Sequence, residues 1–389
     1  MRRGPNPSVE RAAAARAEAA AARRVAVGRE GAGETGAGNE HQAPGRESRG
    51  RFQILLYSSH GEVMNKPGIP APGFVKRIGP VIDLRRSVEF RPLESSELVN
   101  RLTDPRLPFG WTVNPFRGCE FGCRYCYARP THGYLGHADP AEFERRIYVK
   151  QADPAKLVSR LRRARESGEE VAIGAATDPY QPAEARFRVT RRVLESVLRV
   201  PGLRVGITTK SPAVTRDTDL LRRIAAAGEL VVNISLTSLD AALLRRIEPR
   251  APRPDLRLGA MAALTAAGVP ARLFAMPVLP YLTDREAALR DLFAAARAAG
   301  AREAIWNVLF LRGETHRFFL DFIAREFPRL LPRYRSLYAG GATAEAGYRE
   351  RVEEMAGRAA LEAGFPGRSR ADRITAERPA RPPQLLLEW

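Results

Sequence analysis

The chain has 389 residues, of which 63 are Lys or Arg and 44 are Asp or Glu, giving a net charge of +19. Its length suits one large or two ordinary domains, and its basic excess favours an acidic partner such as nucleic acid, although an Arg-, Ala-, Gly- and Pro-rich composition also follows from codon bias. No run reaches the roughly 18 to 20 continuous apolar residues of a membrane span. With only three cysteines, an odd number, a disulfide scaffold is excluded and a reduced cytoplasm is the expected setting.

Residues 1–50 are poor in aromatic and branched apolar residues and read as a disordered Arg/Ala/Gly-rich extension. Arg11 to Arg24 is at most a marginal Ala-rich helix, and Met64 is a possible alternative start. Arg and Ala over the first 25 residues resemble a transit peptide, but Glu10 and Glu18 oppose that reading and there is no apolar signal core. Residues 51–105 are expected to form a lead-in packed on the main unit, with a helix start at Ser95-Ser96-Glu97-Leu98.

The main unit, 106–327, opens with a strand at Trp111 to Pro115. After a Gly- and His-rich stretch, Ile147-Tyr148-Val149-Lys150 is a short added strand. Asp153-Pro154 then starts a helix reaching about Arg165, with an N-cap residue followed by proline in the first turn. Further strands are predicted at 171–176, 203–208, 230–236, 271–278 and 304–310. Helices are predicted near 190–199, 216–227, 255–267, 284–299 and 315–326. This alternation predicts an α/β unit on a parallel sheet, whose doubly buried strands should read as apolar runs, as Ile305-Trp306-Asn307-Val308-Leu309-Phe310 largely does.

The last section, 328–389, is expected to be helical and then flexible, with a helix from Ala346 to about Ala363 and a Pro- and Arg-rich end at Trp389. Arg333-Tyr334-Arg335-Ser336-Leu337-Tyr338 interleaves cations with aromatics. That pattern suits an ordinary amphipathic surface, and it also suits phosphate neutralisation with base stacking.

Three polar clusters end predicted strands: Ala176-Thr177-Asp178-Pro179-Tyr180, Thr208-Thr209-Lys210-Ser211 and Asn233-Ile234-Ser235-Leu236-Thr237. In a (β/α) barrel the C-terminal ends of the strands converge, so such clusters read as lining for one site, although Asp, Ser and Thr also cap helices there. Pro277, Pro280 and Thr283 would form another loop at that mouth.

All three cysteines lie in Gly118-Cys119-Glu120-Phe121-Gly122-Cys123-Arg124-Tyr125-Cys126-Tyr127, spaced C-x3-C-x2-C. Three thiolates on one loop form a soft-metal site that is one protein ligand short, which points to a coordination position kept for something from solution. The other readings are a Cys3His zinc site completed by His132 or His137, in a zinc-dependent nucleic-acid-binding module, and an iron–sulfur electron-transfer protein.

The loop resembles the cluster signature of the radical S-adenosylmethionine (SAM) superfamily. Its flanks, Asn114-Pro115-Phe116-Arg117-Gly118 and Tyr127-Ala128-Arg129, together with Arg246-Ile247-Glu248-Pro249-Arg250, look like the branch containing spore photoproduct lyase. The likeness covers about residues 110 to 310. It implies a partial (β/α)6 barrel and a 4Fe-4S cluster on Cys119, Cys123 and Cys126, with SAM on the fourth iron and a reductant such as flavodoxin or ferredoxin. Hydrogen abstraction from a substrate, nucleic acid by the basic charge, is then the implied chemistry. The same resemblance makes Lys210 and Ser235 contacts of the methionyl group, with Thr177, Asp178 and Thr237 as further candidates, and lays Tyr125 against the adenine. It makes Tyr125 and Tyr127 a hydrogen-atom relay. One departure stands out: where the lyase carries a quenching cysteine on its second barrel strand, this chain has Ala175 and Ala176.

Overall fold

The computed structural model describes residues 87–94, 98–104, 107–151 and 153–366, with Val81 and four short strands before them. The expected N-terminal extension, the Arg11 to Arg24 helix and the tail beyond 366 lie outside the described residues. The chain divides into two units, 1–69 and 70–389. In the first, β1 (Leu56–Tyr57) and β2 (Val63–Met64) pair antiparallel.

The second unit is built on a seven-stranded sheet. In chain order its strands are β6 (Val99–Arg101), β7 (Trp111–Val113), β10 (Val171–Ile173), β11 (Arg204–Thr209), β12 (Glu229–Ser235), β13 (Ala271–Val278) and β14 (Ala304–Val308). The spatial order is β14-β13-β12-β11-β10-β7-β6. Six of these strands are parallel and β6 lies antiparallel on β7. No ladder joins β14 to β6 among the described residues, so the barrel is partial and open, as expected from the sequence. The parallel strands are largely buried and mostly apolar, as a sheet covered on both faces requires, with polar residues such as Asn233 and Arg272 buried among them.

Crossover helices cover the outside. They are α1 (Pro154–Glu166), α2 (Pro182–Phe187), α3 (Val189–Leu198), α4 (Thr218–Ala227), α5 (Ala241–Ile247), α6 (Pro254–Ala266) and α7 (Glu286–Ala298). The longer ones turn an apolar stripe inward at helical spacing, for example Val193, Leu194 and Val197 on α3 or Leu289, Leu292, Phe293 and Ala296 on α7. Helix α1 starts where the sequence placed it, because the Asp153 carboxylate accepts from the Ala155 and Lys156 N–H groups at 2.9 and 3.4 Å.

A smaller sheet flanks the barrel. It holds β3 (Arg77–Ile78), β4 (Asp83–Arg85), β5 (Val88–Glu94), β8 (Phe116–Arg117) and β9 (Arg146–Gln151), in the order β3-β5-β9-β8 with β4 on β5. The short strand expected at 147–150 is thus β9, in a sheet of its own. The helix start expected at Ser95 to Leu98 is corrected: residues 95–97 are outside the described set, Leu98 is a bend, and the chain runs straight into β6. Pairing with the exposed edge of β7 there outweighs a weak local capping signal.

Three helices, α8 (Gly313–Glu326), α9 (Leu331–Leu337) and α10 (Ala346–Glu362), follow β14. Tyr334 and Tyr338 on and after α9 are buried, and their hydroxyls donate to the Pro280 and Leu309 carbonyls at 2.5 and 2.7 Å. The aromatics of 333–338 therefore fasten the loops after β13 and β14 and are not presented to bases. No described helix is long and apolar enough to cross a membrane.

Phe293 packs on Trp306 with ring centroids 5.6 Å apart, and the Trp306 indole N–H donates to Glu353 at 2.8 Å, joining α7, β14 and α10. Replacing Phe293 by Ala is expected to lower the unfolding free energy by about 3 to 5 kcal/mol, read from the denaturant midpoint.

Candidate active site

The cysteine loop leaves the C-terminal end of β7 through β8 and is bent by glycines. Gly118 has φ +86°, and a Cβ there would meet the Arg146 and Phe143 carbonyl oxygens at 2.6 and 2.9 Å, so only glycine allows the close approach. The Cys119 N–H donates to that Phe143 carbonyl at 2.9 Å. Gln181, fully buried, clamps the loop by accepting from the Glu120 N–H at 2.9 Å and donating to the Gly118 carbonyl at 3.1 Å. The Glu120 carboxylate in turn caps α2 through the Ala183 N–H at 2.7 Å.

A buried arginine fixes the far side of the loop. Arg129 donates to the Cys123 carbonyl from two nitrogens, at 3.1 and 2.9 Å, and forms an ion pair with Glu144. Arg124 joins the same carboxylate at 3.4 Å. The three thiols lie in one small apolar cluster with Phe121, Ala128, Phe143, Ala176 and Ala251. Burial pushes the Cys119 thiol well up and the Cys123 thiol up to about 12. Among the described residues no group of three or more His, Cys, Asp or Glu closes as a cage for a bare ion.

The polar strand ends converge above this loop. Lys210, after β11, donates to the Ser235 hydroxyl at 3.0 Å, lies 3.9 Å from Glu248 and stands 5.8 Å from the centre of the Tyr125 ring. Burial opposes its charge, but Cys123 and Glu248 outweigh that and hold Lys210 above its ordinary value. Asp178 is a brace for this lysine: its carboxylate accepts from the Lys210 N–H at 2.7 Å, the Thr209 hydroxyl at 2.7 Å and the Tyr180 N–H at 2.9 Å. Thr177 is likewise turned to the backbone, donating to the Phe116 carbonyl at 3.1 Å. The Thr237 hydroxyl is buried with no hydrogen-bond partner.

The two tyrosines differ. Tyr125 is buried and its hydroxyl donates to Glu248. Tyr127 is 64 % exposed and its hydroxyl donates to the Ala175 carbonyl just past the end of β10.

Glu248 and Arg257 are residues that sequence reasoning did not assign to the site. The Glu248 carboxylate, wholly buried, accepts from Tyr125 and pairs with Arg257, which also donates to the Ser235 carbonyl at 3.0 Å. Burial works against the Glu248 charge, yet Arg257 and Lys210 outweigh it and hold the carboxyl below its ordinary value. Glu248 lies in the Arg246 to Arg250 segment already singled out, while Arg257 sits on the inner side of α6 with no motif to mark it. Asn114 is a third such residue, its side-chain oxygen accepting from the Ala176 N–H at 2.8 Å.

His132 and His137 pack in tilted and edge-on contacts with each other, Phe143 and Tyr148. The His132 Nε2 meets the Arg146 carbonyl at 2.9 Å, and the His137 Nε2 meets the Tyr148 hydroxyl at 2.5 Å.

A partial parallel barrel with a three-thiol loop after its first strand and a buried cation at the same mouth defines a class of cofactor-binding α/β enzyme. The chain belongs to the radical SAM superfamily: residues 113–293 match the model of that family. An uncharacterised protein of Mycobacterium tuberculosis is 36% identical over 290 residues, covering 74% of this chain and 84% of that protein. An uncharacterised Methanocaldococcus jannaschii protein is 24% identical over 203 residues, 52% of this chain and 73% of its own length. Among solved structures, a spore photoproduct lyase variant with bound AdoMet and dinucleoside spore photoproduct superposes with a TM-score of 0.53 at 16% identity, covering 67% of this chain and 75% of the lyase. The lyase complexed with dinucleoside spore photoproduct gives 0.54 at 16% identity, over 71% of this chain and 80% of the lyase.

The family implies SAM and an iron–sulfur cluster, and the residues present fit both. The chain holds three thiols and no fourth, all on one glycine-bent loop. The Thr237 hydroxyl lacks a partner that an incoming polar group would supply, and the Lys210 ammonium suits a carboxylate.

Glu248→Gln removes the counter-charge of Arg257 and Lys210, and is expected to cost about 3 to 5 kcal/mol of stability in denaturant titrations. His132 gives a pH signature. Burial lowers it to about 4, assisted by the charges of His137, Arg117 and Arg129, while its bond to Arg146 opposes the shift. An unfolded histidine takes its proton near pH 6.5, so stability is present above that value and is lost as pH falls towards 4. The stability advantage of the native chain over His132→Gln should therefore shrink by about 3 kcal/mol between pH 7 and 4, measured by denaturation at each pH.

Proposed function

We propose that this radical SAM protein abstracts a hydrogen atom from a nucleic acid or a nucleotide-like substrate. The observation that carries the reading is the joint placement, at one end of the barrel, of the thiol loop and the Lys210–Ser235 pair, in a chain of net charge +19. The dinucleoside held by the structurally similar lyase supports the same substrate class.

When bound, SAM on a 4Fe-4S cluster supplies reductive cleavage of a carbon–sulfur bond and a carbon radical that removes hydrogen. In this reading Cys119, Cys123 and Cys126 hold three irons. Lys210 meets the methionyl carboxylate as a point charge, with Ser235 orienting the amine and Thr237 offering its free hydroxyl. Asp178 and Thr177 act one step back, holding the backbone that carries these contacts. Tyr125 walls the pocket while Glu248 fixes its hydroxyl.

The hydrogen donor is assigned by elimination and position. Every thiol of the chain lies in the loop, so none remains to quench a product radical, and repair of the spore photoproduct by a cysteine donor is set aside. Tyr127 is exposed, and its hydroxyl meets Ala175, in the segment where the lyase carries its cysteine. It is the donor in this proposal: it gives its hydroxyl hydrogen atom to the product radical at the mouth and is left as a tyrosyl radical, which one electron from the flavodoxin or ferredoxin and a proton from solvent restore. If the substrate is duplex DNA, its target base must leave the stack, costing a few kcal/mol that damage lowers.

The test is an anaerobic assay with SAM, a flavodoxin or ferredoxin reductant and deuterated oligonucleotides. Label should pass into 5'-deoxyadenosine. Cys126→Ala should lose bound iron and all turnover with its circular dichroism unchanged, and Tyr127→Phe should slow product formation by about tenfold or more. No 5'-deoxyadenosine from iron-loaded protein would refute the reading.

A further inference from the structure

The small sheet carries two cations that nothing in the described structure neutralises. In the β8–β9 ladder Phe116 faces Val149 and Arg117 faces Tyr148. Phe116, Ile147, Val149, Val88 and Phe90 form an apolar cluster against Ala183 and Val189. Side chains alternate across a strand, so Arg117, Tyr148 and Lys150 share the opposite face. One guanidinium nitrogen of Arg117 is buried without a hydrogen-bond partner. Neither Arg117 nor Lys150 forms a side-chain ion pair or hydrogen bond among the described residues.

The acids of this face are already engaged. Glu89 pairs with Arg91 at 3.2 Å, and Glu142 with Arg146 at 2.7 Å. Two adjacent half-buried cations without an anion are costly in a folded protein unless a ligand supplies the missing charge. Burial lowers Lys150 to about 7, with the charge of Arg117 adding to the shift. The position is informative too: Arg117 immediately precedes Gly118 and the cysteine loop, and the exposed rings of Tyr127 and Tyr134 lie on the same stretch of chain.

We propose that Arg117 and Lys150 form a phosphate subsite beside the cysteine loop, gripping a phosphate attached to the nucleoside that enters the barrel. The proposal rests on the nucleotide reading above and adds to it the element that recognises the backbone. A guanidinium offers a fork of donors and an ammonium a point charge, which together match the oxygens of a phosphodiester. The exposed ring of Tyr134, whose charge acts on Arg117, suits stacking by an unpaired base.

The experiment measures binding of a fluorescent single-stranded pentathymidylate to the full-length, anaerobically purified protein. Its methylphosphonate analogue, which lacks backbone charge, and thymidine 5'-monophosphate are measured alongside. Lys150→Gln should weaken the phosphodiester probe by about five- to tenfold and flatten its salt dependence by about 0.7 per lost contact, with methylphosphonate binding unchanged. Lys150→Arg should restore the affinity, and equal iron content and circular dichroism in all variants check the fold. Loss confined to the mononucleotide also supports the subsite, with a terminal phosphate as its ligand. If the native chain binds the phosphodiester probe and Lys150→Gln leaves the affinity for both that probe and the mononucleotide unchanged, the subsite is overturned and the substrate class survives. If the native chain binds no probe at low salt, the substrate class falls and the subsite with it.

Discussion

The buried Glu248 carboxylate is the contact on which the mouth of the barrel depends. It receives Tyr125 from the cysteine loop and Arg257 from α6, with Lys210 from the end of β11 close by, and Arg257 reaches on to Ser235 on β12. Four elements distant in sequence thereby share one negative charge in a volume closed to water. A lone carboxylate there would be expensive to ionise, and lone cations equally so; each is stable only because the others are present. The backbone reinforces the same junction, since the Arg124 N–H donates to the Ile247 carbonyl at 2.9 Å.

Around that junction the polar residues divide into those facing the pocket and those bracing it. Lys210 and Ser235 bond to each other and the Thr237 hydroxyl is buried without a partner, whereas Asp178, Thr177, Asn114 and Gln181 bond mainly to backbone groups of the loops. Arg129 and Glu144 do the same beneath the loop, an ion pair buried where its remaining donors find the Cys123 and Pro140 carbonyls.

Periodicity carried the fold because each strand and helix of the barrel is internally consistent. Val171 to Ile173 are apolar throughout and Ala304 to Val308 are apolar apart from the exposed Asn307, as strands covered on both faces largely are, and α7 repeats its buried residues at helical spacing. The cysteine spacing is a motif that can be read without the fold, since all three thiols lie within eight residues. The small sheet was not: β5 and β9 are separated by the loop, the histidine stretch and β6 and β7, and local propensity carries no information about which distant edge a strand will find. Arg257 escaped for a related reason, because on the sequence it is one arginine among many.

The primary structure by itself determined the alternation of strands and helices, the gathering of all three thiols on one loop and the superfamily likeness, all of which are local patterns or contiguous motifs. Tertiary structure decided which polar residues face the pocket and which serve the backbone, how Tyr125 and Tyr127 come to have opposite surroundings, and where positive charge is left without a partner. Those outcomes depend on burial and on neighbours brought together from remote parts of the chain, and the cost of an unpaired polar group exists only once water has been excluded around it.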